Sequence, residues 1–423
     1  MKFRVLFCVI SLIYTSIYAQ KTFNSPYSRY GLGEIFYKSY GQSNAMGGAT
    51  LGIPSMNHLH TLNPASLTWL PKHNFLYEIG LVYRLTELSN DELTQTHSGL
   101  NAAYFNFGFP INKYWATSIG LSPFSNVSYK VINTENRGDA GTFQNQYNGS
   151  GGINQVFMQH SFRLFKGFSV GVNAAYLFGP LNHETTSTLQ AANYVAQMKI
   201  QNKIQVSDFA IGYGAQYYKI LKDKYGLGVG FIFEPMTNIH AVNTTFTSRS
   251  LDHLFSSTYE FTYTDTLGYD TLSTGNMKYP SRIGLGLCFT TEKFLVAVDY
   301  MKQTWSESNF FGKYDDLVDN YRLSGGLEFI PNFRSPKYLK TVRYRIGAHV
   351  QPSYIQVNNT QPKDMGVAVG FGFPLKNSKT IVNISLEAGK FGKTDNNMIQ
   401  ERYLKATLNL SMLDTWFVRS RFD

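Results

Sequence analysis

From Phe75 onward, apolar positions alternate with polar or small ones, and the pattern persists to the end of the chain. Phe75, Tyr77, Ile79, Leu81, Tyr83 and Leu85 form one face, with Glu78, Gly80, Arg84 and Thr86 on the other. A period of two is that of a β-strand, whose successive side chains point to opposite faces. The alternation recurs in Ala103, Phe105, Phe107 and Phe109; in Trp115, Ile119 and Leu121; in Val156, Met158, Phe162 and Leu164; in 168–178; and in 209–217. Further strands read as 227–233, 283–289, 294–300, 321–329, 342–350, 365–373, 382–388 and 404–412. About 14 strands result, an even number as bacterial outer-membrane barrels have.

The connections alternate too. Those at 110–113, 166–167, 222–225, 290–293 and 374–379 are short, and those near 131–151, 181–205, 241–278 and 305–319 are long. Short turns on one side and long loops on the other predict an all-β, transmembrane antiparallel barrel in the cell outer membrane, with both termini periplasmic. No water reaches the hydrocarbon layer, so every backbone group must pair within the protein and the sheet must close. Trp115, Tyr83, Tyr176, Tyr217, Tyr300 and Trp416 fall where interfacial girdles are expected. A soluble sandwich or propeller is the alternative, but it does not explain the alternation of loop length.

The region before Phe75 is different. Lys2 and Arg4 followed by an apolar run and Ser16-Ile17-Tyr18-Ala19 read as a signal peptide over 1–19. Residues 20–72 lack a period, yet Leu51, Ile53, Leu59, Leu62, Leu67, Trp69 and Leu70 are too apolar for a solvated tail. Asn63 precedes Pro64 as an N-cap precedes the first position of a helical turn. The segment is predicted to be a plug (hatch) in the lumen of a barrel spanning 73–418, with 419–423 as a periplasmic tail. Gly212, Gly214, Gly228, Gly230, Gly284, Gly286, Gly366, Gly370 and Gly372 on the inward faces mark close approach by another backbone or barrel curvature. Arg84, Asp299, Arg322, Glu328, Arg343 and Arg345 are predicted to face the lumen, where they pair and hold the plug. Pro123 cannot donate to the ladder, so its strand is expected to kink or bulge there, as a strand end or as a side opening.

Composition narrows the function. Charged residues are 16% and aromatics 15%, and no apolar run of helix-spanning length follows the leader. Only Cys288 lies beyond the leader, so no intramolecular disulfide forms. The net charge of +10 is dispersed along the sequence, and with an export signal its partner is outer-membrane lipid or lipopolysaccharide rather than nucleic acid. No catalytic residue, cofactor or metal is expected. His160 and Ser161 adjoin in a strand and point apart, Asp315, Asp316 and Asp319 lack a calcium-loop spacing, and His58 and His60 lack further zinc ligands.

Asn44-Ala45-Met46-Gly47-Gly48-Ala49 followed by Asn63-Pro64-Ala65-Ser66-Leu67-Thr68 resembles the small-residue stretch and Asn-Pro-Ala signature of the FadL-type outer-membrane transporters of long-chain fatty acids and other hydrophobic compounds. The resemblance implies ligand capture between external loops, passage at the plug and exit through a kinked third strand, here at Pro123. It implies the loops 181–205 and 241–278 as the capture site, with Leu51, Ile53, Leu189 and Val195 as ligand contacts. Leu189, Ala192, Val195 and Ala196 fit the apolar side of a short helix, while Met198, Ile200, Ile204 and Val206 alternate as a strand extension. The leader ending in Tyr-Ala-Gln and the tail with Arg419, Arg421 and Phe422 resemble the Bacteroidota PorV-like branch. That branch includes partners in protein export, so the rival expectation is a docking subunit with protein partners in an outer-membrane complex.

Overall fold

The computed structural model describes residues 24–415 apart from 139–140, 191–193, 223, 254–262, 271–273, 311–316, 377 and 396–397. The leader, Ala192, Asp315, Asp316, Trp416 and the tail with Arg419, Arg421 and Phe422 lie outside the described residues.

The alternating stretches form a closed antiparallel barrel of 14 strands. In chain order these are β1 (Asn74–Ser89), β2 (Thr94–Pro110), β3 (Trp115–Asn126, continued by Tyr129–Asn136), β4 (Thr142–Phe165) and β5 (Phe168–Gln190). Next come β6 (Tyr194–Leu221), β7 (Tyr225–Glu234, continued by Thr237–His253), β8 (Thr274–Tyr279, continued by Arg282–Thr290) and β9 (Phe294–Gln303, continued by Asn309–Phe310). The wall is completed by β10 (Asn320–Phe329), β11 (Arg343–Pro352), β12 (Lys363–Pro374), β13 (Ile381–Phe391) and β14 (Gln400–Thr415). Closure comes from β14 pairing with β1, in a register running from Asn74 opposite Thr415 to Ser89 opposite Gln400. The barrel therefore begins and ends at the same rim, where the short turns lie.

The outward positions are those the period predicts. Ile79, Leu81, Tyr83, Leu285, Val369 and Leu408 are exposed, whereas the intervening Glu78, Arg84, Ser324 and Asn409 are buried. Such a skin is stable only against hydrocarbon. Near the short-turn rim, aromatic rings of neighbouring strands touch, as in Tyr77–Phe107 at 4.6 Å, Trp115–Phe162 at 5.8 Å, Phe165–Phe168 at 4.8 Å and Phe294–Phe329 at 4.8 Å. They form the girdle expected where a barrel crosses the membrane–water interface.

Two expectations about connections change. The long stretches 131–151 and 181–205 are mostly strand extension, because β3 to β6 continue as paired hairpins up to Gln190 opposite Val195. Leu189 and Val195 thus sit on strands at a hairpin tip, not on a helix. At the opposite rim the connection 330–342 is long, with a 3-10 turn at Tyr338–Lys340.

The register also shifts twice in the wall. Gly80 faces Tyr104 but Leu81 faces Ala102, so Ala103 is the extra residue of a bulge and does not continue the lipid-facing row of Phe105, Phe107 and Phe109. Phe124 is likewise the extra residue between Pro123 and Ser125 in the β3–β4 ladder.

Candidate functional site

Residues 24–72 touch inward positions of strands around the whole ring. Met46, Ala49, Leu51, Ala65 and Leu67 are wholly buried. The segment turns back in short 3-10 turns, Ser43–Met46 and Pro64–Trp69, the first ended by Gly47 at φ 66°. Asn63 caps the second, its Oδ1 accepting from the Ala65 amide at 3.1 Å, while its Nδ2 donates to the Leu51 and Ala215 carbonyls. Asn63 therefore ties two parts of the segment to the wall.

The inward glycines make the fit possible. A Cβ on Gly230 would lie 1.8 Å from the Leu51 carbonyl oxygen, and one on Gly347 would lie 2.2 Å from the Met46 carbonyl carbon. Gly214, Gly228, Gly286 and Gly370 also face the segment, while the space beside Gly212, Gly366 and Gly372 is taken by Glu234, His349 and Arg345 of the wall itself.

The buried charges are paired with the segment or with each other. Asp299 accepts from the Thr50 and Leu51 amides at 2.6 and 2.9 Å. Arg322 donates to the Gly47 carbonyl at 3.0 Å and lies over the Tyr37 ring. Arg345 pairs with Glu328 at 2.6 Å, and Glu328 also accepts from Gln42. Arg84 joins Glu34 of the segment to Glu401 of β14. The last contact was not legible in the sequence, because its members are more than 300 residues apart.

Above the segment lies a cavity of about 810 Å³. Its inner end is lined by Arg84, Arg322, His349, Asp364, Glu401 and Tyr403, and its outer end by Ile79, Leu81, Phe105, Leu121 and Pro123. The latter residues belong to the lipid-facing row, so the cavity touches the wall at these positions. The reason is local. The β2–β3 ladder runs only from Pro110 opposite Ala116 to Phe105 opposite Leu121. Beyond it, the edge of β3 pairs instead with Glu34–Ile35 of the segment, Glu34 opposite Asn126 and Ile35 opposite Ser125. Pro123, the Phe124 bulge and the Ala103 bulge all lie at this place. The sequence signalled the proline and a kink or bulge beside it, but not the Ala103 bulge.

Asn44, Gly47, Gly48 and Pro123 line the cavity. Met46 packs against Gly326 and Gly347, and Asn63, Pro64 and Ala65 lie against β5 and β6. Leu51 and Ile53 pack on the wall near Gly230 and Tyr218, away from the cavity, and Leu189 and Val195 stand at the hairpin tip. The four residues singled out as ligand contacts are thus not brought together.

His160 accepts from Trp115 Nε1 while Ser161 points inward and donates to the Ala65 carbonyl, so the two cannot act as base and nucleophile. His58 lies 3.0 Å from Glu78 and from Ser411. Among the described residues no group of three metal-ligating side chains occurs.

A family model described as BamG matches residues 1–423. The chain belongs to the BamG family. No curated protein sequence matches it. Solved structures resemble this BamG-family barrel in fold. The Pseudomonas putida toluene transporter TodX matches with a TM-score of 0.61 at 15% identity, covering 90% of this chain and 100% of its own. The Ralstonia pickettii toluene transporter TbuX gives 0.57 at 12%, covering 89% and 98%, and a Pseudomonas aeruginosa FadL homologue gives 0.57 at 10%, covering 91% and 100%. The BamG-family chain therefore has the FadL-like outer-membrane barrel fold.

Proposed function

We propose that the barrel binds a small hydrophobic compound in the cavity and passes it sideways into the membrane by diffusion, without an energy source. The observation that carries this reading is the gap between β2 and β3, where the cavity meets lipid-facing Ile79, Leu81, Phe105 and Leu121. An apolar solute gains about 25 cal/mol per Å² on leaving water, so a path that ends in hydrocarbon needs no other driving force. The segment at 44–70 fills the lumen below the cavity as a plug and blocks a straight path, which makes the lateral route the open one. In this reading the short-turn rim and both termini are periplasmic, and long-chain fatty acids are among the ligands. The test is uptake of labelled toluene and labelled palmitate by a null strain expressing the wild type, Pro123→Ala or a chain lacking 44–70. Uptake unchanged in both variants sinks the proposal.

The whole-length match to the BamG family supports a second reading, a non-transporting docking subunit of an outer-membrane protein-export or assembly complex. It predicts a stoichiometric protein partner on purification in mild detergent. A clean monomer with measurable uptake argues against it.

A further inference from the structure

The two rims of the barrel carry opposite charge. Counted along the sequence, the connections at the short-turn rim (71–73, 111–114, 166–167, 222–224, 291–293, 330–342 and 375–380) hold eleven lysines and arginines against Asp223 and Glu292. That excess of nine nearly equals the net +10 of the whole chain. Among the described residues, the connections at the opposite rim hold Arg137 and Lys393 against Asp91, Glu92, Asp319 and Asp395. No run of basic residues exists in the sequence; the fold gathers single lysines from separate turns.

Every connection of the short-turn rim supplies at least one cation: Lys72 in the first, then Lys113, Lys166, Lys222, Lys293, Lys337 and Lys376. Among the described residues, no rim cation is within ion-pair distance of a carboxylate. These turns and the strand ends beside them expose apolar side chains, with Tyr114, Phe165, Ile220 and Phe333 all exposed and Leu339 70% accessible. In 330–342 this display is ordered: the Asn332 amide donates to the Lys340 carbonyl at 2.8 Å, and the Tyr344 hydroxyl to the Leu339 carbonyl at 3.0 Å. The aromatic girdle lies directly beside this rim. It sets the rim at the height of lipid headgroups.

We propose that the short-turn rim binds the headgroups of anionic phospholipids in the leaflet it meets. The cations encircle the barrel instead of forming one patch, and they sit among exposed apolar side chains beside the girdle. A ring of that kind fits an annulus of lipid; an acidic protein docking end-on fits it less well, having no use for cations on every turn. Lysine stems lie along apolar surface while the ammonium groups reach the phosphates. The proposal holds for a transporter and for a docking subunit alike.

The test uses the full chain in nanodiscs of phosphatidylcholine with and without phosphatidylglycerol, read by native mass spectrometry of retained lipid and by thermal unfolding. Phosphatidylglycerol is expected to be retained roughly tenfold over phosphatidylcholine, with a higher midpoint. Lys166→Glu, Lys293→Glu, Lys337→Glu and Lys340→Glu together abolish the preference, and the matching glutamine variant serves if the glutamate one does not fold. Asp91→Lys at the other rim leaves the preference intact. Equal retention of both lipids by the wild type, or an undiminished preference in the substituted rim, overturns the proposal. So does equal retention accompanied by a co-purifying acidic protein that the rim variant loses, which reassigns the surface to a protein partner.

Discussion

Replacing Asp299 by alanine should free the segment at 44–56 while leaving the barrel standing. The Asp299 side chain is 1% exposed and accepts from two consecutive backbone amides, Thr50 at 2.6 Å and Leu51 at 2.9 Å. A hydrogen bond to a charged group contributes about 1.5–3 kcal/mol, and adjacent donors lose less than the sum, so the two together come to about 4 kcal/mol. Removing a buried charge returns part of its desolvation cost, which leaves a net loss of about 3 kcal/mol. Local opening should then rise roughly a hundredfold. The wall is spared, because the backbone pairing of Asp299 with Gly286 and with Ser324 does not involve the carboxylate. Hydrogen exchange read by mass spectrometry should show lost protection in 44–56 and none in β8 to β10, with the heat-modifiable barrel retained on gels. Asp299→Asn keeps an acceptor oxygen and should cost about 1 kcal/mol. Unchanged exchange at Thr50 and Leu51, or collapse of the whole barrel, would refute the reasoning.

Gly230→Val brings a side chain onto the Leu51 carbonyl, since the Cβ position is already 1.8 Å from that oxygen. It should displace the segment or prevent assembly, measured as protease sensitivity of 44–70, whereas Gly268→Val, with nothing within 4 Å, should be silent. Arg84→Ala leaves Glu34 and Glu401 facing each other without their cation, an effect of about 3 kcal/mol, and should detach Glu34–Ile35 from β3, seen as faster exchange there. Burial pushes His60 down to about 4 from an ordinary 6.5. An unfolded segment then binds a proton that the packed one refuses, so the stabilisation is complete above pH 6.5 and up to about 3 kcal/mol is lost as pH falls to 4. Protease sensitivity of the segment should rise over that window and the rise should flatten in His60→Gln; a flat wild-type profile rejects this account.

The wall was legible because a strand with lipid on one side and a crowded lumen on the other must alternate, and alternation is a local property of the sequence. The same rule located Arg84, Asp299, Arg322, Glu328 and Arg345 inside. It failed at Ala103, where one bulged residue shifts the row, and at Leu189, where a polar strand extension has no lipid face to announce it. The capping turn at Asn63-Pro64-Ala65 was readable for the same local reason: an N-cap and a proline need only their own neighbours.

By itself, then, the sequence determined the membrane-spanning parts of the strands, the face of most side chains in them, and that the region before Phe75 is apolar and irregular. Tertiary structure alone decided three things. It placed the break in the wall's pairing, because that depends on where the β2–β3 ladder stops and on Glu34–Ile35 replacing it. It chose the partners of the buried charges, because closure brings β14 against β1 and sets Glu401 beside Arg84. It also turned scattered lysines into one basic rim, because antiparallel closure sends every second turn to the same end of the barrel.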